Sequence, residues 1–134
     1  MKQPTKLENC LYAFLESGRE GLRQIEVASP HQGYHFKHQP GLFWSSCLNT
    51  DVSRLQKAGI TIARSPDPYT RHDGSKAQFN RYWLPNRKTA EQALSLLNQC
   101  RLKRGSNHLT VNLAAMLVEQ FAANDEPENK KHTG

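Results

Sequence analysis

Near the start of the chain the apolar positions Leu7, Cys10, Leu11, Phe14 and Leu15 recur at helical spacing, with Glu8, Asn9 and Glu16 between them. That rhythm predicts an amphipathic helix over about residues 5–17, closed by Gly18. Glu8 and Glu16, like Glu20 and Glu26 beyond it, are expected on exposed helix faces. Leu22 and Ile25 share a face before Pro30, which predicts a second helix of two turns over residues 21–28. Residues 29–42 hold two Pro, two Gly and three His, and read as a loop that is long for a helix–helix connection. Trp44, Leu48, Val52 and Leu55 then fall in one narrow stripe at 100° per residue. This predicts a third helix over about residues 44–58, with Ser45 or Ser46 as N-cap and Gly59 at its end. Its opposite face carries Ser46, Thr50, Ser53 and Lys57, flanked by Asn49 and Arg54.

After Gly59 the period changes from 3.6 to 2. Ile60 to Arg64 alternates as a half-buried strand, and Gln78 to Leu84 is rich in strand formers and stopped by Pro85. Between them lie Pro66, Pro68 and Asp73-Gly74, so the two runs predict a hairpin whose long tip is basic: Arg64, Arg71, His72, Lys76 and Arg81. A fourth helix is predicted over about residues 90–103, with Thr89 and Gln92 as a capping box, Ala90, Ala93, Leu94 and Leu97 along one side, and Arg101, Lys103 and Arg104 suiting the dipole at its end. A fifth is predicted over about residues 110–123. Its Leu113, Leu117 and Phe121 follow one another at i, i+4 and i+8, a stripe that serves equally for packing back on the domain or for a self-complementary dimer contact. Residues 124–134 read as a disordered tail. The class this predicts is mainly α with a small β-hairpin. The organisation is a domain at residues 5–85, a helical extension at 86–123 and the tail.

With 134 residues the chain has room for one domain and a modest core, but not for a barrel or a doubly wound enzyme sheet. The longest apolar run, Leu113 to Val118, is far below the ~18 residues of a membrane span. The first ten residues lack the apolar stretch of a signal peptide, so a cytoplasmic location is expected. Cys10, Cys47 and Cys100 are widely spaced, without a CxxC pair, and read as reduced apolar residues, Cys47 bordering the core stripe. Charge changes the picture most. The net charge is +6, and residues 43–88 alone hold eight Lys/Arg against three Asp/Glu. Excess positive charge confined to one block suits a polyanion.

Three fragments in and beside that block carry a resemblance: Leu22-Arg23-Gln24-Ile25-Glu26-Val27-Ala28, Val52-Ser53-Arg54-Leu55-Gln56-Lys57-Ala58-Gly59-Ile60, and Arg81-Tyr82-Trp83-Leu84. In their order they resemble a winged helix-turn-helix domain of the kind found in phage, prophage and other mobile-element proteins. The likeness covers roughly residues 7–84, and departs from the family in the long connection from Ser29 to Phe43. It implies a double-stranded DNA-binding protein, a transcriptional regulator or recombination accessory. The third helix would enter the major groove and the hairpin would meet the backbone. The candidate contacts are then Arg54 and Lys57 to phosphate or guanine, Asn49 to adenine, and Ser46, Thr50 and Ser53 to base edges or phosphate. Arg23 and Gln24 would meet a phosphate at the start of the second helix, and Arg64, Arg71, Lys76 and Arg81 would add attraction from the hairpin. Arg81 could instead pair with Asp67 or Asp73. Neutralising about 6 phosphates would cost roughly a thousandfold in affinity between 50 and 200 mM salt.

A second reading stays open: a protein-binding module, such as a phage-encoded inhibitor or adaptor of a host protein, using the aromatic loop 29–43. His31, His35 and His38, completed by Cys47 or a carboxylate, are the constellation that most suggests a metal, a zinc site. The Pro- and Gly-containing segment does not hold them on one face, and they read as solvated loop histidines. No GxSxG, Walker phosphate loop, GxGxxG or kinase signature is present, and no enzyme activity or cofactor is expected.

Overall fold

In the computed structural model, which describes residues 3–121, helix α1 (Lys6–Ser17) begins where the periodicity placed it. The Thr5 hydroxyl caps it by accepting from the Glu8 N–H at 3.2 Å, and Gly18 closes it at a φ of 62°. Every side chain from Cys10 to Glu16 is buried, because α1 is covered on several sides, by α3 (Leu48–Lys57), α4 (Arg87–Lys103) and α5 (Val111–Glu119) among others. That overturns the exposed placement of two acids. Glu8 accepts from Arg104 at 2.7 and 2.8 Å and faces Arg101 at 3.7 Å. Glu16 accepts from the main-chain N–H of Lys37 and His38 at 2.7 and 3.0 Å, and from the Tyr12 hydroxyl at 3.0 Å. Two buried carboxylates are tolerated because each is fully engaged.

The predicted two-turn second helix is instead a strand and a single turn: β1 (Leu22–Arg23) followed by α2 (Gln24–Val27). Strand pairing won over the short apolar spacing. Leu22 lies opposite Tyr82 and Arg23 opposite Arg81, and the approach is so close that a Cβ on Gly21 (φ 70°) would lie 1.9 Å from the Tyr82 carbonyl oxygen. The loop 29–42 also holds structure: β2 (Tyr34–His35) pairs with β3 (Leu42–Phe43), and Phe36 packs edge-on against Tyr12 at 4.8 Å.

Helix α3 starts four residues later than the stripe suggested. Trp44 lies outside it and is 41% exposed, whereas Leu48, Val52 and Leu55 are buried as expected. Neither Ser45 nor Ser46 is its N-cap. Cys47 occupies that position without a capping side chain, and it is exposed rather than in the core. Beyond α3, β4 (Ala63–Pro66), β5 (Tyr69–Thr70), β6 (Lys76–Ala77) and β7 (Asn80–Trp83) form one long antiparallel arm, with β7 lying between β1 and β4. The expected hairpin is there, but its strands start later.

Helix α4 begins three residues early. Asn86 caps it, accepting from the Thr89 N–H at 2.9 Å, in place of the Thr89–Gln92 box. Helix α5 is capped by Thr110 and ends sooner than predicted. Leu117 and Phe121 are buried and Leu113 half-buried, so this stripe packs against the chain's own core, continuous from α1 through α5. The predicted tail at 124–134 lies outside the described residues. The class is therefore mixed α/β, with five helices and three small sheets of two or three strands among the described residues, rather than mainly α with one hairpin. A winged-helix arrangement is not shown. Among the described residues no helix is long and apolar enough to cross a membrane.

Candidate nucleic-acid interface

The buried stripe Leu48, Val52 and Leu55 fixes which side of α3 meets solvent, and Ser46, Asn49, Thr50, Ser53, Arg54 and Lys57 are all exposed beside or on it. What anchors the start of α3 comes from elsewhere in the chain. The Gln24 amide bridges it: its Oε1 accepts from the Leu48 N–H at 2.6 Å and its Nε2 donates to the Ser45 carbonyl at 2.8 Å. The Ser45 hydroxyl accepts from the Cys47 N–H at 3.2 Å and donates to the Asp51 carboxylate. Asp51 is also 3.5 Å from Lys6 and 3.9 Å from Arg54, so its buried charge is compensated. Thus Gln24, expected to reach a phosphate, has both ends of its amide occupied in positioning α3.

Arg23 and Arg81 are likewise engaged. Arg23 makes a bidentate contact to Asp67 at 2.6 and 3.2 Å, with Glu26 at 3.7 Å, and so ties β1 to the arm. Arg81 donates to the carbonyls of Arg19 and Glu20 at 3.2 and 2.7 Å and lies over the Trp83 ring at 4.5 Å. It pairs with neither Asp67 nor Asp73. By strand alternation these two arginines leave the sheet on the face opposite Leu22 and Tyr82. There they line a depression of about 560 Å³ together with Glu20, Glu26, His35 and Lys37, a surface of mixed charge.

Of the candidate cations, Lys57, Arg64 and Lys76 make no ion pair or side-chain hydrogen bond among the described residues. Arg54 is 63% exposed despite Asp51. At the tip of the arm Arg71 donates to the Ser75 hydroxyl at 3.2 Å. Beside it the hydroxyl and N–H of Ser75 donate to Asp73, which holds that carboxyl below its usual range and leaves an anion among the cations of the tip. The Cys47 thiol is likewise lowered, chiefly because the Thr50 hydroxyl donates to its sulfur at 3.1 Å.

Arg64 and Asn49, well apart in sequence, meet in a groove of about 250 Å³ between α3 and the arm, together with Gln24, Gln78, Phe79, Asn80 and Tyr82. Sequence reading missed Gln78, Asn80 and Tyr82. The alternation of the run Gln78 to Leu84 puts all three on one strand face, but only pairing with β4 and β1 turns that face toward α3. Among the described residues no group of three His, Cys, Asp or Glu side chains could hold a metal ion. No protein-family model, curated protein or solved structure matches this chain.

Proposed function

We propose that this protein binds double-stranded DNA through the exposed face of α3 and the adjoining arm. One observation carries the reading: Arg54 and Lys57 on α3, and Arg64 and Lys76 on the arm, belong to the block that holds most of the net charge, and none is consumed by the fold as Arg23 and Arg81 are. Ser46, Asn49, Thr50 and Ser53 give the same face short polar side chains that allow close approach to base edges. A regulator or recombination accessory working in the cytoplasm is the role this suits. The working contacts are fewer than the sequence suggested. With Arg54, Lys57, Arg71 and Lys76 on phosphate, about 4 charges are neutralised, and affinity falls on the order of a hundredfold between 50 and 200 mM salt. Fluorescence anisotropy on duplex DNA across that range tests it, and affinity indifferent to salt would overturn it.

A second reading rests on residues 29–43, which form an ordered hairpin followed by the exposed Trp44 ring, with Lys6 at 5.9 Å from its centroid. An aromatic flanked by a cation suits an acidic protein partner. Retention of one host protein after nuclease treatment, lost in Trp44→Ala, would favour it over DNA.

A further inference from the structure

Between α4 and α5 an apolar face is left uncovered by the described residues. The fold buries the Leu117 and Phe121 side of α5 in the core, and the next side outward borders a groove of about 400 Å³. Leu109 and Val118 are buried in this groove, Leu94 and Ala114 half-buried, and Ala115 and Val111 exposed along it. Val111 is 84% exposed. Leu102, 55% exposed, continues the α4 side of the face one turn beyond Asn98. Asn98 itself is occupied, its Oδ1 accepting from the Leu109 N–H at 3.0 Å. No residue of α3 or the arm lines the groove.

Residues 122–134, which follow α5, contain no apolar side chain larger than alanine or proline, so they have nothing to fill this groove with. Charge argues against an acidic or nucleic-acid partner. Residues 105–121 hold one charged side chain, Glu119, whereas residues 43–88 hold eight Lys/Arg. For the same reason this is where two chains of net charge +6 approach each other with least repulsion. The shape is also complementary to itself. Val111 is a ridge beside a groove that the small side chains of Ala114 and Ala115 keep open, so under a two-fold axis each copy's Val111 enters the other's groove. Glu91 and His108, the two titratable groups lining it, then meet across the axis, the carboxylate accepting from the ring N–H. We infer that this face is covered by a second copy of the chain, in a two-fold dimer with α5 packed antiparallel to α5. The dimer does not depend on the DNA-binding reading; with that reading, it carries two basic faces in one particle.

Sedimentation equilibrium of the full chain without DNA, from about 1 to 100 µM, tests it, because a small apolar contact of this kind dissociates in the micromolar range. The mass should rise from one chain to two and no further, as a closed two-fold contact requires. Val111→Asp puts an uncompensated charge into the contact and should raise the dissociation constant about tenfold or more. At the first position of α5 an anion suits the helix dipole, so the thermal midpoint should hold. Ala115→Glu should act in the same way, and decides the matter if Val111→Asp does not fold. Met116→Gln, at a position exposed on α5 but outside the groove, should leave the dissociation constant within about twofold. A mass of one chain throughout overturns the inference, as does a dimer that a folded charged variant leaves intact. A monomer that retains a different protein, lost in Val111→Asp, also overturns it and gives the groove to that protein. A monomer in which Val111→Asp speeds hydrogen exchange in residues 122–134 overturns it in favour of that segment. Each of these results leaves DNA binding standing.

Discussion

Cys47 shows how much one residue's setting depends on its neighbours. It stands at the start of α3, exposed, with the Thr50 hydroxyl donating to its sulfur and pulling its pKa down. Cys10 is the opposite case: burial beside Asp51 pushes its thiol far up. Only the thiolate is nucleophilic, so alkylation at neutral pH should modify Cys47 first and leave Cys10 unmodified in the folded chain, as read by peptide mass spectrometry. The sign follows from the direction of each shift: a lowered pKa raises the thiolate fraction at a given pH. Thr50→Val should therefore slow Cys47 alkylation and move its pH profile upward. Gly21 makes a backbone prediction. Its positive φ and the 1.9 Å approach to the Tyr82 carbonyl leave no room for a side chain, so Gly21→Ala should cost about 2 kcal/mol or more in a urea denaturation, by forcing β1 away from β7. Both residues were visible in the sequence, but neither role was: Cys47 borders an apolar stripe on a helical projection, and Gly21 reads as the first residue of a two-turn helix. What decides each is a partner distant in the chain or a helix start that no local pattern marks.

At the scale of elements, α1 and α5 agree with their hydrophobic spacing in type and in where they start, since each buries an apolar stripe and carries a side-chain cap at its start. Two of the disagreements share one cause. Where a segment is short, tertiary pairing outweighs its own periodicity: Leu22 and Arg23 make a strand because β7 is there to receive them. Helix α3 loses its first predicted turn because Gln24 and Ser45 hold the chain around Cys47. The elements are also bound by buried charge. Glu8 on α1 joins the end of α4 through Arg104 and Arg101, whose side chains are only 12% and 16% exposed. Glu8→Ala removes the buried carboxylate that both guanidinium groups share and should cost about 3 kcal/mol, seen as a lower urea midpoint. Glu16→Ala should instead release the main chain at Lys37 and His38, and faster hydrogen exchange should concentrate in residues 34–43.

At the scale of the whole molecule, charge is divided between holding the fold and facing outward. Arg23, Arg81, Arg101 and Arg104 bind carboxylates or carbonyls of their own chain, whereas Lys57, Arg64 and Lys76 have no such partner among the described residues. The double change Arg54→Ala with Lys57→Ala should weaken duplex binding roughly tenfold or more at moderate salt and flatten the salt dependence by about 2 in slope. Its thermal midpoint should stay within a degree or two of wild type, since exposed side chains contribute little to stability. A parallel change of Arg23→Ala should do the reverse, lowering the midpoint while barely altering the salt slope, because Asp67 already neutralises that charge.

The primary structure alone determined the central helix, the apolar underside of α3, the arm that follows Gly59 and the position of the excess positive charge. All of these depend on residues a few places apart, where helix and strand geometry fix which side chains share a face. Tertiary structure decided the class, the start of α3, the burial of Glu8 and Glu16, and the sorting of arginines into those that hold the fold and those that face solvent. It also made the groove, by bringing Asn49 and Tyr82 within 3.2 Å. These outcomes depend on contacts between residues far apart in sequence, whose free energies of a few kcal/mol exceed the local preferences that a pattern of apolar and polar positions records.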